Sequence, residues 1–318
     1  MTGGTRLPQS NGRLMTTGHG FETWMQYVDG FELRHFCGFE LLNDPRGVAC
    51  LTEYHRKLVE AGVANGFGVI NEGLHYRASR DWGELTGYSR EGLAELNIRG
   101  VEFYREIARG HDSPATPMLV AGAIGPRGDA YETGRVPEAN EAEDYHGEQI
   151  ATLKSAGADM ITATTFSSVE EAIGIARAAS AVELPIAISF FLRQGGLLSG
   201  GETLEQAIES VDAATGSAPA YYMINCTHPT EFEPALTHGD WIRRLGGFLP
   251  NAVAMETLAL CQLGHLEDGD PERLGGQMAG LARRFPQINV WGGCCGTDAR
   301  HIGQITRQVA EAREGGRA

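Results

Sequence analysis

Lysine and arginine are scarce in this 318-residue chain, 26 against 41 Asp and Glu, for a formal charge of −15. Phosphate backbones and anionic membranes select clustered basic residues, so the balance argues against nucleic acid or a lipid surface as partner. Cysteine is scarce too. Six residues (Cys37, Cys50, Cys226, Cys261, Cys294 and Cys295) are too few for a disulfide framework at this length and suit thiols kept reduced in the cytoplasm. No apolar run approaches the roughly 20 residues of a membrane helix. Residues 1–12 are polar and Gly-rich, lack a signal-type apolar core, and are expected to form a flexible arm. Repeats, low-complexity blocks and linkers are missing as well, so residues 13–318 are expected to form one domain.

What the chain does have is a regular alternation of short apolar runs with longer amphipathic segments. Strands are expected at residues 13–17, 66–71, 118–123, 160–164, 186–190, 221–225, 252–256 and 288–291. Helices are expected at 45–61, 89–109, 141–156, 169–181, 203–214, 271–285 and 298–313, with a less clear one near 231–245. Runs such as Ile186-Ala187-Ile188-Ser189-Phe190 are almost continuously apolar, as in parallel strands buried on both faces. Eight strand–helix units fit a single (β/α)8 TIM barrel. A doubly wound open sheet is weaker, because Gly18-His19-Gly20 continues as Phe21-Glu22-Thr23 and completes no dinucleotide-binding turn.

A barrel places its chemistry where strands end. The sixth strand ends Asn225-Cys226-Thr227-His228, and the eighth runs into Gly292-Gly293-Cys294-Cys295-Gly296-Thr297-Asp298. Cys226, Cys294 and Cys295 would then share one face of the barrel. Three thiolates make three corners of a tetrahedral zinc site with the fourth position open, the catalytic form of such sites. A thiolate-rich Zn2+ is better suited to hold a substrate thiol as thiolate than to activate water. That chemistry points to transfer of an alkyl group, most simply methyl, to sulfur. Cys37, Cys50 and Cys261 read as small buried hydrophobes.

The motifs Ile224-Asn225-Cys226 and Gly292-Gly293-Cys294-Cys295-Gly296-Thr297 resemble those of the homocysteine S-methyltransferase family, zinc-thiolate barrels that include the betaine- and S-methylmethionine-dependent enzymes. Gly20 with Glu22, Gly-Ala-Ile-Gly-Pro at 122–126, Ala156-Gly157-Ala158-Asp159 and Ser189-Phe190 extend the likeness through most of the chain. The resemblance implies that Cys226, Cys294 and Cys295 are catalytic zinc ligands, and that the partners are a small-molecule thiol acceptor and a cationic methyl donor, a sulfonium or quaternary ammonium.

Two departures stand out. Where the family's first strand ends Asp-Gly-Gly, this chain has Thr16-Thr17-Gly18; where the fourth ends Glu-Thr, it has Thr164-Thr165. Those family carboxylates help hold the amino-acid part of homocysteine. Each such charge-assisted bond is worth about 1.5–3 kcal/mol. The expected acceptor is therefore a thiol or selenol other than homocysteine, with true methionine formation as the alternative. Further candidates for substrate contact are Gly18, His19, Glu22, Asn225 and His228 at strand ends, and the aromatics Trp24 and Tyr76 as faces for a cation. Asn225 is expected to orient a ligand loop by its amide. The long stretch 72–88 reads as a functional loop. A zinc-storage protein leaves the open position unexplained, and a zinc hydrolase calls for His-rich ligation.

Overall fold

In the computed structural model, which describes residues 7–131, 136–193, 195–255, 259–260 and 263–315, eight parallel strands close into a barrel in chain order. The strands are β1 (Met15–Gly18), β2 (Gly68–Asn71), β3 (Met118–Ile124), β4 (Met160–Phe166), β5 (Ile186–Phe190), β6 (Tyr221–Asn225), β7 (Leu245–Leu249) and β8 (Val290–Gly293). Closure is direct: Thr16 pairs with Trp291, and Gly18 with Gly293. All five residues of β5 and of β6 are buried, as their apolar runs require.

Among the described residues the helices run in the order α1 (Phe21–Tyr27), α2 (Pro45–Val63), α3 (Arg80–Thr86), α4 (Arg90–Ala108), α5 (Ala139–Ser155), α6 (Val169–Ala181), α7 (Leu204–Thr215), α8 (Pro229–Phe232), α9 (Pro271–Arg284) and α10 (Ala299–Gly315). Their starts follow local chemistry. Ser89 accepts from the Gly92 amide to open α4, Thr203 and Gln206 form a capping box on α7, and Asp270 with Pro271 opens α9. Among the described residues no helix is long and apolar enough to cross a membrane.

One strand lies elsewhere than the sequence suggests. β7 is Leu245–Leu249, whereas residues 252–255 of the expected strand are loop and residue 256 lies outside the described set, as does Cys261. The strand hides in the sequence because Gly246 and Gly247 depress β propensity. They are needed there: a Cβ on Gly246 would meet the Tyr221 ring at 2.7 Å, and one on Gly247 the Met223 sulfur at 2.9 Å.

The lower barrel is plugged by Met15, Ile70, Met160, Tyr221, Met223 and Val290, packed with Leu7. Residues 7–11 are accordingly not the flexible arm expected. Pro8–Asn11 is a 3-10 turn, Gln9 donates to the Tyr221 hydroxyl at 2.9 Å, and Asn289 donates to the Gln9 carbonyl at 3.0 Å. Burying Leu7 there contributes about 1.5–3 kcal/mol, which a loose arm would forfeit. Above this plug the lumen turns polar, and the site begins.

Candidate metal centre and substrate cavity

The strand ends bring three thiols together. The Sγ atoms of Cys226, Cys294 and Cys295 all lie within 4.8 Å of one another. Backbone bonds fix the loops that carry them. The Cys226 amide donates to Leu249 O at 3.1 Å, the Cys294 amide to Pro250 O at 2.7 Å, and Asn251 Nδ2 to Cys226 O at 2.9 Å. The glycines around the Cys pair are steric requirements. A Cβ on Gly292 would sit 2.2 Å from Thr17 O, and Gly296, at φ +79°, would bring one 2.3 Å from Glu267 O. Cys226 itself holds φ +53°, an uncommon value for a residue with a side chain.

Three sulfurs from two loops, gathered this closely, fit a soft metal ion. Cys226 and Cys294 are joined here as a disulfide, with Cα atoms 5.4 Å apart. The two states exclude each other, since ligation needs thiolates and the disulfide has none.

Asn225 sits between these strand ends. Buried completely, it accepts from Ser189 Oγ at 2.7 Å and the Thr165 amide at 3.0 Å. It donates to Thr165 Oγ1 at 2.8 Å and reaches Cys294 Sγ at 3.9 Å. One amide thus ties the ends of β4, β5 and β6 to a thiol.

A cavity of about 300 Å3 opens against the three cysteines. Of the nine expected contacts, His19, Glu22, Tyr76 and Thr164 line it, and Thr16, Gly18, Trp24, Asn225 and His228 do not. Thr16 points the other way, because strand residues alternate and its Cγ2 lies against Gly62 of α2. Gly18 likewise faces Leu58, so its open space is outside the barrel. Trp24 packs on Tyr54 with centroids 6.0 Å apart. His228 caps α8, its Nδ1 3.3 Å from the Thr230 amide, and burial and Arg273 lower its pKa to about 4.

Behind the cavity-lining His19 and Gly73 lies a buried acid that the sequence alone does not single out. Glu72, one residue beyond β2, is 1% exposed, and its carboxylate accepts from Thr17 Oγ1 at 2.8 Å, His19 Nε2 at 2.8 Å and Thr162 Oγ1. Burial pushes this carboxyl up, but His19 and the two hydroxyls outweigh burial and hold it below the usual Glu range. The available signal was an acid at a strand end, Asn71-Glu72-Gly73. Its partners come from three other places in the chain, and that convergence is invisible in one dimension.

Glu22 behaves in the opposite way. It is 6% exposed at the start of α1, and burial raises its pKa to about 8 despite its own backbone amide and Arg77. The other acids of the cavity wall are engaged. Asp129 receives Arg77 at 2.6 Å, and Glu267 contacts His265 at 2.9 Å on the rim.

Known proteins bear on this geometry. The homocysteine S-methyltransferase family profile matches residues 19–309. Methionine synthase from Mycobacterium leprae (strain TN) is 25% identical over 301 residues, covering 91% of this chain but 23% of that protein, so the chain spans about a quarter of its relative's length. Among solved structures, the homocysteine methyltransferase MmuM from Escherichia coli superposes in its oxidized form with a TM-score of 0.71 at 21% identity, over 92% of this chain and 94% of that one. Its metallated form gives 0.68 at 19% identity, over 92% and 95%. These two likenesses establish the shared barrel. With the family match running through nearly the whole barrel, the chain belongs to the homocysteine S-methyltransferase family.

Proposed function

We propose that the protein transfers a methyl group from a sulfonium or quaternary ammonium donor to the sulfur of a small thiol other than homocysteine, using Zn2+ held by Cys226, Cys294 and Cys295. The ion would supply one thing, an acceptor sulfur kept as thiolate at neutral pH. A sulfur lone pair forms the new S–C bond while the donor's C–S or C–N bond breaks, and the electron pair leaves with a neutral sulfide or amine. Zinc rather than a harder cation suits an all-sulfur donor set. Thiolates must stay reduced for this, which favours the cytoplasm as the place of action.

The chain's own residues shape the rest. Asn225 orients the Cys294 loop, the cavity confines the reactants beside the thiols, and Tyr27, Phe36 and Tyr76 give its wall aromatic rings. The observation that carries the altered acceptor is the state of the acids. Thr164 stands at the cavity without a charge, Asp129 and Glu267 are engaged, Glu72 is spent on His19 and two threonines, and Glu22 is largely protonated at pH 7. Among the described residues the one acid left to a cation is Glu22, and the aromatic rings beside it suit a methylated cation better than an ammonium with N–H bonds to satisfy. Thr16, turned outward, contributes nothing to the case.

The test is a matched pair. Reduced, zinc-loaded protein is titrated calorimetrically with homocysteine and with 4-mercaptobutyrate, which lacks the α-amino group. The desamino thiol should bind at least as tightly. A homocysteine preference of about 10-fold or more, the value of one charge-assisted partner, would return the acceptor to homocysteine.

A further inference from the structure

Glu22 is a buried acid with no built-in counter-charge. It makes no ion pair among the described residues, and its neighbours explain why its charge is not supported. Cys37, from the segment after α1, has its thiol pushed up to about 12 by burial. Tyr54 on α2, Tyr76 beyond β2 and Tyr104 on α4 are all raised above the ordinary tyrosine value by burial, so they stay neutral. Among the described residues the charge acting on Glu22 is that of Arg77, which donates to Asp129 at 2.6 Å and to His35 O at 2.6 Å. The carboxyl therefore lines a cavity beside the thiols with no ion-pair partner among the described residues.

We infer that Glu22 is the cation subsite for the methyl donor, a carboxyl that gives up its proton to solvent as the onium charge enters beside it. The inference rests on the reading of the cavity as a methyl-transfer site. The surroundings favour an onium over an ammonium. Tyr27, Phe36 and Tyr76 line the same cavity, and ring faces attract a methylated cation that has no N–H bonds to satisfy. An ammonium would need several hydrogen-bond acceptors in addition to one charge. A fixed-charge donor brings its counter-ion problem to every binding event, and a single uncommitted carboxyl answers it. Trp82 is not part of this wall: the Arg77 guanidinium covers it at 4.2 Å from the ring centroid.

The probe is tetramethylammonium, with tert-butanol as its neutral analogue, titrated into reduced, zinc-loaded protein in two buffers of contrasting ionisation enthalpy. Near pH 7 the wild type should release about one proton per onium bound, and its affinity should rise by about 10-fold or more between pH 6.5 and 8.5. Glu22→Gln should show neither effect, while zinc content and thiol binding remain those of the wild type. Binding of tert-butanol should be independent of pH in both proteins. Proton release that persists in Glu22→Gln, or wild-type affinity that is flat with pH, overturns the assignment. Turnover separates the two ideas. Methyl transfer with an unchanged donor KM in Glu22→Gln defeats the subsite and leaves the proposed reaction standing. Proton-linked onium binding with no thiol methylated by any donor defeats the reaction and leaves the subsite.

Discussion

The mouth of the barrel has two unlike walls. On the side of β6 and β8, three thiols are set by short backbone bonds and by glycines that admit no side chain. On the side of β1 and β2 are two carboxyls, Glu22 in the cavity wall and Glu72 behind it, both almost fully buried and yet shifted in opposite directions. Burial penalises both anions. What separates them is the number of partners: Glu72 has an imidazole and two hydroxyls, whereas Glu22 has its own backbone and a distant, already paired Arg77. A polar group satisfied within the fold is scaffold, and one left unsatisfied at a cavity is available to a ligand.

The largest effect should come from breaking the thiol wall. Cys294→Ala removes one of three ligands and the sulfur braced by Asn225. Zinc affinity should fall by more than the roughly 10–100-fold that losing an outer hydrogen-bonding partner costs. Methyl transfer should become undetectable while circular dichroism stays unchanged. Metal analysis of protein prepared with reductant checks the first point. Full zinc in the variant would dismiss the ligand assignment.

The next test sharpens the contrast between the carboxyls by making the same change in each. Glu72→Gln replaces the anion that three donors share and should destabilise by about 2–3 kcal/mol at pH 7. Because the folded pKa of Glu72 is depressed, its stabilisation is present above the ordinary Glu value and lost as pH falls through the folded one. The gap between wild type and variant should therefore narrow in acid. Glu22→Gln should do the reverse. Its folded pKa, about 8, lies above the unfolded one, so the wild type loses stability relative to the variant from about pH 4.5 up to 8 and by a constant amount beyond. The variant should gain about 4–5 kcal/mol at pH 9 and nothing at pH 4. Urea melts at three pH values decide it, and equal behaviour of the two variants would erase the distinction between the walls.

Legibility in the sequence follows the same divide. The barrel and the thiol wall could be read, because apolar periodicity and the Gly-Gly-Cys-Cys-Gly run are local signals. The carboxyl wall could not. Glu72 draws its partners from β1, the β1–α1 turn and β4, which meet only when the barrel closes. Thr16 was misjudged through strand alternation: the family comparison fixed its position along β1, while its face depends on the pairing with β2 and β8. β7 was displaced because Gly246 and Gly247, chosen for close packing against Tyr221 and Met223, erase the strand signal.

His228 provides the smallest effect and the sharpest limit on the thiol wall. It follows Cys226 by two residues, and its place at the end of the sixth strand makes it a candidate for substrate contact. Its ring instead caps α8, with Nδ1 2.8 Å from Thr230 Oγ1, and it does not line the cavity. Asn is also a good helix cap, so His228→Asn should keep transfer within about 2-fold of wild type and cost less than about 1 kcal/mol at pH 7.5. Acid should separate the two proteins. The folded pKa of His228, lowered to about 4 by burial and Arg273, lies below the unfolded value near 6.5. Its neutral form is the one the fold accepts, so the wild type should lose stability as pH falls from about 6.5 to 4, and the Asn variant should not lose that component. A large drop in transfer with the cap intact would instead extend the working surface of the thiol wall past Cys226 to the start of α8.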